Sequence, residues 1–281
     1  MKVSATSFRE LQLRSTIPLG EKTGYPDRYA REVLYPMPRA ANRQTLGLVE
    51  ALPFHGEDIW NAYELTWLES AGKPAVAIGT IRVTSDSPYM VESKSLKLYL
   101  NSLAMERFES AGDVAALVAR DLSEVTQSTV KVGLSPPSAV DGLQNLGGTC
   151  IDDLDVACDA WQVDPSVLKC DARTDLREEL HSHLLRTLCP VTSQPDFGSV
   201  LLRYRGPAID RESLLRYLVS YRTHQDFHEN CIERIFVDVK NLCKPSQLTV
   251  YGRFNRRGGL DINPFRSDFE ASTGNPRLWR Q

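Results

Sequence analysis

Cys189 stands before Pro190 in a polar, turn-like stretch, Leu188-Cys189-Pro190-Val191-Thr192-Ser193-Gln194-Pro195-Asp196. Such a loop can present a thiol to a ligand rather than bury it. An ordinary thiol has a pKa of about 8.5, so roughly a few per cent is thiolate at pH 7 unless its site lowers that value. Asp196, seven residues on, could donate a proton if burial raised its pKa. The same two residues also fit a buried structural cysteine and a turn aspartate.

A second cluster is Phe227-His228-Glu229-Asn230-Cys231. Glu229 offers two acceptor oxygens, a match for the paired N–H donors of a flat heterocycle. Phe227 could pack on its ring. A solvated helix face is the plainer alternative. His224, His228 and Cys231 fall at i, i+4 and i+7, a spacing that can gather metal ligands on one helix face. That set has no distant closing ligand, and Cys231 also belongs to an apolar stripe. Lys94, Lys97, Arg256 and Arg257 could hold phosphates. Gly258-Gly259 would let a backbone approach closely. His55, His181 and His183 have no usable spacing and are taken as structural or surface residues.

Some motifs are absent. The sequence has no G-x-G-x-x-G after a strand, no G-x-x-x-x-G-K-[ST] and no G-x-S-x-G. A Rossmann site, a P-loop and a hydrolase elbow are unsupported.

The elements that must position these residues look duplicated. Gly79-Thr80-Ile81 opens a strand-like alternation, followed by Ser95-Leu96-Lys97-Leu98-Tyr99-Leu100. Gly198-Ser199-Val200 opens another, followed by Ser213-Leu214-Leu215-Arg216-Tyr217-Leu218. The offsets are 119 and 118 residues. Each half continues with a longer helix, marked by Val114, Val118, Leu122 and Val125 or by Cys231, Ile235, Val239 and Leu242. A strand follows each, at Thr129 to Leu134 and around Leu248, Val250, Gly252 and Phe254. The Pro-, Gly- and Ser-rich stretch from Ser135 to Gly148 reads as the connection. The pattern predicts an α+β fold built from a repeated module.

Composition fits a globular chain. Its 281 residues allow one large or two modest domains. Apolar residues at 42% and charged residues at 25% rule out a disordered or low-complexity chain. The net charge of −3 argues against a strongly cationic nucleic-acid binder. The longest mostly apolar run, Pro74 to Ile81, is too short to span a membrane. Met1 to Arg14 has no signal-peptide core, so the expected location is the cytoplasm. Six cysteines without a C-x-x-C are expected to be free thiols there.

Taken together, the clusters resemble the NADPH-dependent 7-cyano-7-deazaguanine reductases, the nitrile reductases of queuosine biosynthesis, in their long bimodular form. The residues that carry the resemblance include Glu92-Ser93-Lys94-Ser95-Leu96-Lys97, Cys189 to Asp196, Phe227-His228-Glu229-x-Cys231 and Arg256 to Pro264. Leu52-Pro53-Phe54-His55-Gly56-x-Asp58-Ile59-Trp60 and Thr149-Cys150-Ile151-Asp152-Asp153 add to it. It covers the chain from about residue 15 onward.

The resemblance implies two tandem tunnelling-fold modules, residues 15–135 and 149–281. Each would be a four-stranded antiparallel sheet with two helices on one face. It implies Cys189 as the nucleophile that forms a thioimide with the nitrile carbon, and Asp196 as the proton donor. Val91, Glu92, Ser93, His228 and Glu229 would bind the deazaguanine. Ser93, Lys94, Arg257 and Gly258 would contact NADPH. No metal and no direct nucleic-acid partner are expected, and association into a homodimer is.

The chemistry accounts for these residue types. Direct hydride addition to a nitrile leaves an unstabilised anion on nitrogen. Thiolate addition with protonation gives a neutral, electrophilic thioimide. A competing expectation is a metal-dependent purine or pterin cyclohydrolase on the same fold, supported only by His224, His228 and Cys231. A cysteine-dependent nitrile hydrolase and a binding-only module are further alternatives. Gly252, unusually small for its strand, has no account at this level.

Overall fold

The computed structural model describes residues 24–139, 142–272 and 274–281. In chain order the first half comprises β1 (Pro36–Pro38), α1 (Ala40–Thr45), β2 (His55–Glu69), β3 (Pro74–Thr84), β4 (Tyr89–Val91), α2 (Ser93–Ser102), β5 (Arg107–Phe108), α3 (Ala111–Thr126) and β6 (Val130–Ser135). The second comprises β7 (Thr149–Cys150), β8 (Cys170–Leu188), β9 (Pro195–Ile209), α4 (Arg211–Ser220), α5 (His228–Cys243), β10 (Gln247–Phe254) and β11 (Leu260–Ser267). The expected start of the first module, residues 15–23, lies outside the described residues, as do Val140 and Asp141 of the connection.

The fold is mixed α+β. One sheet runs β6-β3-β2-β11-β10-β9-β8-β7, with β5 paired to β2. Its ladders are antiparallel except β2–β5 and β7–β8. β11 pairs with β2 from Leu260↔Ala62 to Ser267↔His55, so both halves share a continuous sheet. β1 and β4 form a separate ribbon.

The repeat is visible in detail. α2 and α4 each have 10 residues, and α3 and α5 each have 16. Both longer helices end on a left-handed residue, Gln127 and Lys244. Tyr99 Oη donates to Asp121 Oδ2 at 2.7 Å, and Tyr217 Oη to Asp238 Oδ2 at 2.6 Å. Glu92 caps α2 as Asp210 caps α4, each accepting from a serine N–H in the first turn. The first half supplies three long strands, β2, β3 and β6, and the second four. Among the described residues, no helix is long and apolar enough to cross a membrane.

The helices pack on one face of the sheet in two cores. Trp60, Ile81, Leu96, Tyr99, Val118 and Leu260 belong to one, and Leu185, Leu202, Tyr217, Ile235, Val250 and Phe254 to the other. Where they meet, a buried ionic cluster ties α1 to α5 and the sheet. Arg43 and Arg266 both donate to the Glu233 carboxylate, at 2.7 and 2.9 Å. Arg266 and Arg39 reach Asp58 at 2.8 and 2.5 Å.

Gly252 acquires a reason here. A Cβ on it would sit 2.7 Å from two side-chain carbons of Ile232 on α5. Gly252 therefore lets α5 lie close on β10, and the first turn of that helix holds the site. Gly252→Ala is expected to destabilise the fold by about 1–3 kcal/mol, as overpacking does, read from the shift of a urea denaturation midpoint.

Candidate active site

Five element ends converge on a cavity. β8 ends at Leu188, and residues 189–194 form the hairpin loop into β9. Cys189 N–H donates to the Gln194 carbonyl, and Ser193 N–H to the Cys189 carbonyl, both at 2.9 Å. Ser193 closes this loop in the left-handed region, at φ 58°. The loop thus holds the half-buried Cys189 beside Asp196, the second residue of β9.

The segment before α5 is laced to the same strand end. Leu188 N–H donates to His224 O at 2.8 Å, and Asp226 N–H to Leu188 O at 3.2 Å. Phe227 is the N-cap residue of α5, and His228 and Glu229 form its first turn. The His228 ring stacks on Phe254 at the end of β10, with centroids 3.9 Å apart. Its Nε2 lies 3.2 Å from Asp196 Oδ2, and its buried Nδ1 has no partner.

The first half contributes Val91, Ser93 and Lys97 to the lining, and Arg257 enters from the β10–β11 turn. Arg257 donates to Asp196 Oδ1 and, at 2.6 Å, to Gln194 Oε1. Val91, Ser93, Cys189, Asp196, His228, Glu229 and Arg257 thus share a cavity. Glu92 does not line it. Its buried carboxylate accepts from Lys94 N–H at 2.9 Å and Ser95 N–H at 2.7 Å, holding the start of α2. Lys94 does not line it either. Gly258 lines the adjoining cleft with Gly259, Glu64 and Asn101, and Lys97 borders both. Sequence reasoning missed Trp60 and Asn255, which also line the cavity. Trp60 was within reach, at the end of the Leu52–Trp60 motif.

Two carboxyls are tuned in opposite directions. Burial pushes Asp196 up, but the hydrogen bond and charge of His228, with Arg257, outweigh it and hold the group below its ordinary value. The expectation that burial raises Asp196 is therefore corrected: its resting form is the carboxylate. Glu229 is pushed up to about 8, first by burial and then by Asp58, against Arg39 and Arg266. Burial, and next the charge of Arg257, lowers the Lys97 ammonium.

The His224/His228/Cys231 metal face does not form. His224 precedes α5, as the residue closing the 3-10 turn Tyr221–Thr223, and Cys231 is fully buried in the helix–sheet core. The cyclohydrolase expectation loses its only support.

Comparison with known proteins identifies the family. Residues 25–134 match a family model described as nitrile reductase, 7-cyano-7-deazaguanine-reductase N-term, and residues 195–273 one described as QueF-like protein. The NADPH-dependent 7-cyano-7-deazaguanine reductase of Dechloromonas aromatica (strain RCB) is 51% identical over 269 residues, 94% of this chain and 95% of that protein. The chain belongs to this reductase family. A solved structure of an apo archaeosine synthase QueF-Like is 21% identical, covering 38% of this chain and 100% of that one, with a TM-score of 0.29. The second of the two family models begins six residues after Cys189.

Proposed function

We propose that this chain reduces the nitrile of 7-cyano-7-deazaguanine to 7-aminomethyl-7-deazaguanine at the expense of NADPH, with Cys189 as nucleophile. The observation that carries this is the meeting of Cys189, Asp196, His228 and Glu229 around a cavity closed by both halves of the chain.

The ionised Asp196 suits the first step. Its carboxylate takes the Cys189 thiol proton as sulfur bonds to the nitrile carbon. It then returns that proton to the nitrile nitrogen, leaving a neutral thioimide and a carboxylate again. Nothing is gained or lost overall, so no raised pKa is needed. His228 and Arg257 hold Asp196 in place for both transfers. Phe227 packs on the flat base, and His228 Nδ1 is free for its edge. Glu229 accepts the paired N–H donors of its guanine-like edge. The buried site keeps water from the imine that follows.

The residues present fit NADPH. Lys97 and Arg257 bring two cations to the same cavity wall, close enough for the charge of Arg257 to depress Lys97. Gly258, at φ 58° and packed on the Lys97 side chain, forms a turn that a backbone-hugging phosphate can approach. NADPH supplies hydride when bound. Ser93 and Lys94 are the further contacts proposed on the first-half side.

The two halves are proposed as tandem tunnelling-fold modules, residues 15–135 and 149–281, on the strength of the matched helix lengths, caps and Tyr–Asp pairs. Their open edges, β6 and β7, give a homodimer a reason to form. The cytoplasm is the proposed setting, consistent with six free cysteines among the described residues.

The test follows NADPH absorbance with purified protein and limiting nitrile. Two NADPH should be consumed per nitrile, and the amine recovered. An acid or amide product without NADPH loss would instead mean a nitrile hydrolase.

Glu229 also predicts a pH dependence. Below about 8 the free group is protonated, whereas accepting two N–H donors requires the carboxylate. Binding therefore releases a proton. The dissociation constant should fall about tenfold per pH unit up to about 8 and level off above it. Calorimetry at pH 7 in buffers of different ionisation enthalpy measures the release directly. Glu229→Gln should remove it, and a wild type that releases no proton would refute the assignment.

A further inference from the structure

Three ligand-type side chains meet on the face of the sheet opposite the helices, away from the Cys189 cavity. β7 pairs in parallel with β8, which places Cys150 beside His181. Paired residues project from the same face, and His183, two residues along, joins them. The Cys150 sulfur and one ring nitrogen from each histidine lie within 4.8 Å of one another.

The imidazoles are already oriented as ligands. His181 Nδ1 lies 2.8 Å from the Gly147 carbonyl oxygen. A carbonyl only accepts, so the proton sits on Nδ1 and Nε2 carries a free lone pair. His183 Nδ1 lies 2.7 Å from Ser199 Oγ, which leaves its Nε2 for the cluster as well. Metal-bound histidines have this arrangement, the far nitrogen held by an oxygen. Asp152 accepts from His183 N–H at 2.9 Å and from Ser182 Oγ at 2.6 Å, placing an anion beside the three.

We propose that Cys150, His181 and His183 bind a zinc-class divalent cation, with a fourth position open to water or Asp152. A thiolate with two imidazoles selects borderline-soft ions over magnesium or calcium. Tetrahedral zinc needs ligand atoms roughly 3.3–3.6 Å apart, so side-chain closure of about 1 Å completes the site. The ion would fasten the two-residue edge strand β7 to the sheet. It would also fasten the chain end, since Arg280 Nη2 donates to His183 O at 2.9 Å and Trp279 packs 6.4 Å from the His183 ring.

Cobalt(II) is the probe, titrated into the metal-free full chain. The expected result is one equivalent bound, with tetrahedral d–d bands, a thiolate-to-cobalt charge-transfer band, and displacement by zinc. Cys150→Ser should lose the charge-transfer band. Ser199→Ala, which touches no metal, should weaken binding about 10–100-fold, and it serves if the first variant folds poorly. Cys189→Ala should leave the spectrum unchanged. Absence of tetrahedral bands, or bands that vanish in Cys189→Ala and persist in Cys150→Ser, would overturn the proposal.

Discussion

Cys189→Ala is expected to abolish nitrile reduction, lowering turnover by at least about 10⁴-fold, the scale on which loss of a covalent nucleophile acts. The reason is chemical. Without sulfur addition the nitrile carbon stays linear, and hydride addition would leave charge on nitrogen. The small side chain leaves the hairpin intact, since Cys189 holds the loop through its backbone N–H and carbonyl. The variant should therefore still bind the base on Glu229 and His228. Mass spectrometry gives a sharper readout than rate. Wild type incubated with the nitrile alone should gain the mass of one whole substrate molecule, because addition expels nothing. The alanine variant should gain none. An adduct surviving in the variant would move the nucleophile elsewhere.

Glu233→Ala should produce the largest loss of stability. Its carboxylate receives Arg43 through Nε at 3.0 Å and Nη2 at 2.7 Å, and Arg266 through Nε at 3.1 Å and Nη2 at 2.9 Å. These side chains are under 10% exposed. Removing the anion leaves the buried Arg43 without a carboxylate and Arg266 with Asp58 alone, a broken buried ion-pair network that costs about 3–5 kcal/mol. In a chain of this size that lowers the melting temperature by roughly 6–20 °C. Glu233→Gln keeps an acceptor and should lose less. A second readout separates charge from packing. The unbalanced arginines would favour an ionised Glu229, so the pH at which base binding levels off should move below about 8.

The wild-type cluster also sets an acid limit. Burial raises Glu233 and Asp58, but the arginines outweigh it and hold both below their ordinary values of 4.5 and 3.8. Their stabilisation is complete above those values and is lost as pH falls through the lower folded ones.

The sequence revealed α3 and α5 through apolar residues at helical spacing, α2 and α4 through the Ser-Leu-x-x-Tyr-Leu repeat, and β3 through its alternation. β8 was hidden because its 19 residues are rich in Arg, Glu and Asp and do not alternate cleanly. With β8 unseen, His181 and His183 had no shared face. Their approach to Cys150 depends on a parallel pairing that only the folded chain creates. β10 alternates in sequence, yet seven of its eight residues are buried. Tyr251 explains this: it packs against Phe265 and Leu278 on the face away from the helices. Gathering Val91, Ser93, Cys189, Asp196, His228, Glu229 and Arg257 rested on family resemblance rather than on spacing. The direction of the Asp196 shift was not legible, because it depends on His228 from the start of α5 and then on Arg257 from a turn 61 residues away.

The internal repeat has unequal contents. By helix register, the counterparts of His228 and Glu229 in the first half are Ala111 and Gly112, and the counterpart of Lys97 in the second half is Leu215. A doubled architecture thus carries undoubled chemistry. On the proposed roles, the base-recognition turn belongs to the second half and Lys97 to the first, so the proposed site needs both. Carrying both halves on one chain fixes their ratio at one to one and removes the need for two separate chains to find each other. It also leaves Ala111, Gly112 and Leu215, which do not line the cavity, answerable to folding alone.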